Sequence, residues 1–126
     1  MKSLAVSIDI GEERGDFFVD EQIDEITFVT PVLEEISYMP PSVTSYLRRA
    51  KNEGYLAAKK LFLDYVAEEG MIYLRGSWVF SKMGAEHFDG LIQLLQEVAA
   101  DVKVDLYKAC CKDLLYVVAH KAYLPT

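Results

Sequence analysis

The stretch "SLAVSIDIGEERGDFFVDEQIDEITFVT", residues 3–30, decides the fold. In "SLAVSIDI" the apolar residues Leu4, Val6, Ile8 and Ile10 alternate with Ser3, Ala5, Ser7 and Asp9, the period of a strand with one buried face. "GEERG" supplies turn residues before "DFFVD", and "DEQID" separates that run from "EITFVT". Three short strands with short connections predict an antiparallel meander.

Working outward, Pro31 is expected to end the third strand, "VLEEIS" to form about one helical turn, and "YMPPS" at 38–42 to break the chain. From Ser42 the period changes. Val43, Tyr46, Leu47, Ala50, Ala57, Leu61, Tyr65 and Val66 recur at three- and four-residue steps, which predicts an amphipathic helix over 42–69. Straight, it would be about 40 Å long, so a break is expected at "KNEG", with Gly70 closing the element. "MIYLRGSWVF", 71–80, reads as a strand or two short ones, and 84–100 as a second helix with Phe88, Leu91, Ile92, Leu95, Val98 and Ala99 on one stripe. "VKVDLYKA" alternates again, and "LLYVVAHKAY" is apolar on both parities as far as Ala119, so 102–109 and 114–122 read as strands around a "CCKD" turn.

This order predicts an α+β fold, a mainly antiparallel or mixed sheet carrying two principal helices, with an α/β sandwich as the alternative. A length of 126 residues fits one domain spanning 1–126. No apolar run approaches the roughly 20 residues of a membrane-spanning helix, and Asp9 comes too early for a signal peptide, so neither a membrane nor export is expected. Two cysteines without an export signal fit a cytoplasmic setting.

Charge is unevenly placed. Residues 1–40 carry ten acids against Lys2 and Arg14, a net of −8, and residues 41–126 a net of +1. The acidic third should repel nucleic acid and attract basic surfaces. The expected function is therefore a non-catalytic protein-binding regulator, adaptor or inhibitor-like module with a basic protein partner. Asp16, Asp20, Glu21, Asp24 and Glu25 supply the acidic surface, and Tyr38, Met39 and Tyr46 flank a rigid Pro-Pro turn suited to a partner groove. Strand 3–10, if at a sheet edge, would also allow a homodimer by pairing across a two-fold axis.

Two other functions compete with this one. Cys110 and Cys111 lie between Lys108 and Lys112, and positive charge favours a thiolate, so a small thiol or sulfur-relay enzyme is one alternative. "VKVDLYKACCKDLL" after an amphipathic helix resembles the strand-then-cysteine end of DsrE-type sulfur-relay proteins, although the N-terminal meander departs from that family's opening strand–helix unit. His120 is the candidate base, though a structural histidine on a strand face is the expected role. The other alternative is a small-molecule sensor with a pocket lined by Tyr73, Trp78 and Tyr116. No metal or cofactor is expected: the histidines and cysteines lack zinc spacing, the acids of 9–25 lack the ligand pattern of a calcium loop, and no glycine run cradles phosphate.

Overall fold

The computed structural model describes residues 3–11, 13–34 and 39–121. Its first three elements are the strands of the meander, β1 (Ser3–Ile10), β2 (Glu13–Asp20) and β3 (Glu25–Leu33). They are followed by α1 (Pro41–Glu53), a 3-10 turn over Ala57–Lys59, β4 (Leu61–Val66), β5 (Met71–Val79), a second 3-10 turn over Phe80–Lys82, and α2 (Ala85–Lys121). The five strands form one sheet in the order β1-β2-β3-β5-β4, and every neighbouring pair is antiparallel. Both helices belong to the core on one face of this sheet, so the fold is α+β.

Alternation sets the inner face. Phe17 and Val19 of β2, Ile26, Phe28, Thr30 and Val32 of β3, and Ile72 and Leu74 of β5 are all buried, while the residues that alternate with them are partly or fully exposed. Phe17 packs in a tilted arrangement against Phe28, with ring centroids 4.9 Å apart, and against Phe88 of α2 at 5.0 Å, which joins two strands to the long helix. Gly15 is needed where it stands, because a Cβ there would lie 2.5 Å from the Phe28 ring. The Thr30 hydroxyl donates to the Arg14 carbonyl at 3.2 Å, so the one buried polar residue among the described residues is satisfied.

Several expectations are corrected. The expected strands over 102–109 and 114–122 are not found among the described residues, because α2 continues unbroken from Ala85 to Lys121. Val102 and Leu106 fall one helical turn apart and extend the buried stripe of Leu91, Leu95, Val98 and Ala99. Cys110 and Cys111 are therefore not a hairpin turn, and no strand follows α2 among the described residues, which removes the α/β alternative.

The expected helix over 42–69 ends at Glu53, where Gly54 takes a left-handed conformation (φ 69°) as C-cap. Residues 61–66 are then a strand, and Gly70 (φ 64°) turns β4 back onto β5. Pro31 does not end β3 either: the strand passes through it to Leu33 with a register shift between the two, as expected where proline cannot donate to the ladder. The helical turn expected over 32–37 begins instead as β3, and its residues 35–38 lie outside the described ones.

Candidate protein-binding site

The cysteines occupy successive positions on α2, about 100° apart around the helix axis. Cys110 packs against the core, and burial, then the neighbouring Cys111 and then Asp113, raise its thiol pKa. That direction is opposite to what an activated thiolate needs. One turn before Cys111, the Tyr107 phenol has its pKa raised by a hydrogen bond with the Cys111 side chain. Without a strand before the cysteines, the likeness to the sulfur-relay end loses its geometry. The His120 backbone lies in α2, not on a strand, and its side chain is outside the described residues. No group of three or more histidine, cysteine or acidic residues among the described ones is placed to hold a metal.

Tyr73 and Trp78 cannot line one pocket. They stand at positions of opposite parity on β5, with Trp78 on the helix-covered face and Tyr73 on the open one, where it donates to Glu69 at 2.8 Å. Tyr116 lies on α2, and its side chain is outside the described residues.

The acids expected to meet a partner gather on β2 and the turn into β3, but they do not all have the same freedom. Asp24, in a left-handed conformation (φ 51°), accepts from the Ser81 backbone N–H at 2.7 Å and from the Ser81 hydroxyl at 2.5 Å. It fastens the β2–β3 turn to the segment before α2. Asp16 accepts from the Ser7 hydroxyl at 2.6 Å, and Asp20 from the Gln22 backbone N–H at 3.0 Å, both at the surface with carboxylate lone pairs to spare. Glu21 is exposed and Glu25 partly so.

The three apolar members of the expected surface do not join these acids. Tyr38 lies outside the described residues, and Met39 is partly buried against the core. Tyr46 projects from α1 into a cleft against α2, where it donates to Asp105 at 3.2 Å. Burial, then the Asp105 charge and this hydrogen bond, raise its pKa. Asp113 closes the end of that cleft by accepting from the Ser42 backbone N–H at 2.9 Å and its hydroxyl at 2.5 Å. It caps α1 from the neighbouring helix, a role that α1's own N-cap residue Pro40 does not fill.

The sequence reading missed two apolar surfaces. One is the open face of the sheet, where Phe18 and Phe62 are 42% and 53% exposed around a shallow depression also lined by Val29 and Arg75. Arg75 is held there by an ion pair with Asp64 at 2.8 Å. The other is a groove of about 520 Å³ between α1 and β4 at the sheet's edge, lined by Leu47, Leu61, Leu63 and Tyr65 with Arg48 and Lys51 exposed beside it. The alternation in "LFLDYV" was the available signal for β4. The groove itself depends on tertiary packing.

No family model and no curated protein sequence matches the chain. Among solved structures it is similar to a chain of the crystal structure of the ExsC–ExsE complex, with a TM-score of 0.60 and 11% identity. The likeness covers 77% of this chain and 70% of that one. At this identity the likeness is one of fold. Among the described residues no helix is long and apolar enough to cross a membrane.

Proposed function

We propose that the chain is a non-catalytic protein-binding module, a regulator, adaptor or inhibitor-like partner, whose acidic hairpin surface meets a basic protein. The observation that carries this is the segregation of charge across the sheet. The acids Asp9, Asp16, Asp20, Glu21 and Glu25 belong to β1–β3 and the β2–β3 turn, whereas Arg48, Arg49, Lys51, Lys59 and Lys60 belong to α1 and the segment leading into β4, the edge strand opposite β1. Among the described residues the ion pair of the molecule is Arg75–Asp64, so neither cluster is neutralised by the other. Fold likeness to a chain that is found in a two-protein complex accords with this reading.

Unpaired charge of one sign speeds encounter with an oppositely charged surface and loses its effect as salt rises. The test is affinity capture from native cell extract at low and at high salt, using the wild-type chain beside an Asp16→Asn, Asp20→Asn, Glu21→Gln, Glu25→Gln variant. Asp24 is left intact because it holds the turn. A basic protein retained by the wild type at low salt, and released by high salt or by the variant, is the expected result. Retention unchanged by the variant would remove the acidic surface from the interaction.

A further inference from the structure

A sheet with two free edges exposes two rows of unpaired backbone groups, and proteins ordinarily guard such rows with lysine, proline, bulges or cover. β4 has none of these from Phe62 to Val66, and only at its start is an amide taken, where the Leu61 N–H donates to the Leu56 carbonyl at 2.9 Å. Its six residues contain no lysine or proline, its register with β5 runs from Leu61 to Val66 without a shift, and its single charge, Asp64, is committed to Arg75. Phe62 stands 53% exposed on the open face, and on the other face Leu63 and Tyr65 are only partly buried beneath α1.

The groove lies directly beside this edge. A strand added at the usual spacing of about 4.8 Å would take up the β4 amides and carbonyls beyond the Leu61 N–H that β5 does not use, and its alternate side chains would enter the groove. The intervening side chains would lie beside Phe62. Charge then selects the occupant. Arg48 and Lys51 flank the groove, Arg49 and Lys60 are near in sequence, and none of the four has a carboxylate within ion-pair distance among the described residues. Pairing of β4 with β4 of a second copy would bring two sets of the same cations together, which disfavours a homodimer at this edge.

We propose that the β4 edge and the α1 groove together receive an extended acidic segment of a partner protein as a sixth strand, with apolar residues at alternate positions. This rests on the protein-binding reading and adds a second, oppositely charged contact surface to it.

The probes are two fluorescein-labelled synthetic 12-residue peptides, one alternating valine or isoleucine with aspartate or glutamate, the other with lysine in place of every acid. Anisotropy titrations are made with the wild-type chain and with an Arg48→Glu, Lys51→Glu variant, both positions being solvent-exposed, and hydrogen exchange follows the β4 amides. The acidic probe is expected to bind at least tenfold tighter than the basic one, to weaken as salt rises, and to protect alternate β4 amides. The charge-reversed variant is expected to keep the wild-type circular dichroism and to invert the preference.

Equal affinity for both probes, or binding without β4 protection, would overturn the proposal. So would a chain that sediments alone as a dimer with the β4 edge already protected, since that assigns the edge to a second copy. Capture through the acidic hairpin is read separately: its survival beside a wild-type chain that fails to bind the acidic probe sinks only the groove, and its loss in the hairpin variant bears only on the acidic surface.

Discussion

Tyr46 ties α1 to α2 through one hydrogen bond, and its ionisation gives that contact a pH dependence with a definite sign. Burial, the Asp105 charge and the hydrogen bond all hold the phenol above its ordinary value of 10.0 in the folded chain. The folded state therefore keeps its proton when the unfolded state has begun to lose it. The resulting stability is fully present below about pH 10 and is lost as pH rises from there towards the folded pKa. The side chain is only partly buried, so solvent screening makes the slope smaller than that of a fully buried group. Denaturant midpoints measured at pH 8, 10 and 11 should fall more steeply for the wild type than for Tyr46→Phe. At pH 8 the variant itself should be less stable by about 1 kcal/mol, because the hydrogen bond to Asp105 is gone. Parallel decline of the two proteins across this range would mean that Tyr46 does not titrate differently on folding. Cys110 provides the same kind of information about function: its flanking lysines suggested activation, whereas burial on α2 raises its pKa.

At the scale of elements, α2 shows why alternation misled over 102–107. Val102, Val104 and Leu106 satisfy a period of two, but in the helix Val102 and Leu106 are buried while Val104 is 51% exposed. The two readings predict different energetics. Leu106→Ala should cost about 2–5 kcal/mol and Val104→Ala under about 0.5 kcal/mol in urea denaturation, where a one-sided strand would bury all three alike. Comparable losses at both positions would contradict the helix.

The signal for the helix was present in the sequence: the stripe of 91, 95, 98 and 99 continues to 102 and 106, and no glycine or proline interrupts residues 91–121. The β-branched valines outweighed it only because they were read in isolation. β4 failed in the opposite sense. Leu61 and Tyr65 suit a helix by spacing, yet the left-handed Lys60 (φ 62°) and pairing with β5 make the segment a strand, so tertiary contact overrides a local period. The meander and the Gly54 break were legible because alternation and turn chemistry agree there. The acidic surface was legible from charge counts alone. The groove was not, because Leu47 and Leu63 meet only when a strand distant in the sheet order docks beneath α1.

Across the whole molecule, the acidic surface and the groove are separated by the width of the sheet: Asp16 and Asp20 on β2 stand four strand spacings from a strand added beside β4, about 19 Å at about 4.8 Å per strand. Whether they act as one dipole or as two independent surfaces depends on salt. One pair of unit charges at this distance in water interacts with about 0.2 kcal/mol before screening. With a Debye length of about 30 Å at 0.01 M salt roughly half of that survives, but at 0.15 M, where the length is about 8 Å, only about a tenth does. Summed over the four acids Asp16, Asp20, Glu21 and Glu25 and a ligand bearing several negative charges at the groove, the repulsion is about 1 kcal/mol or more at low salt and a few tenths at 0.15 M. Neutralising those four acids should therefore strengthen binding of the acidic peptide to the groove by about five- to tenfold at 0.01 M salt and by less than twofold at 0.15 M. Anisotropy titrations of the wild-type and neutralised chains at both salt concentrations measure this difference. A gain that persists undiminished at 0.15 M would mean that the acids touch the peptide themselves and that the two surfaces are one.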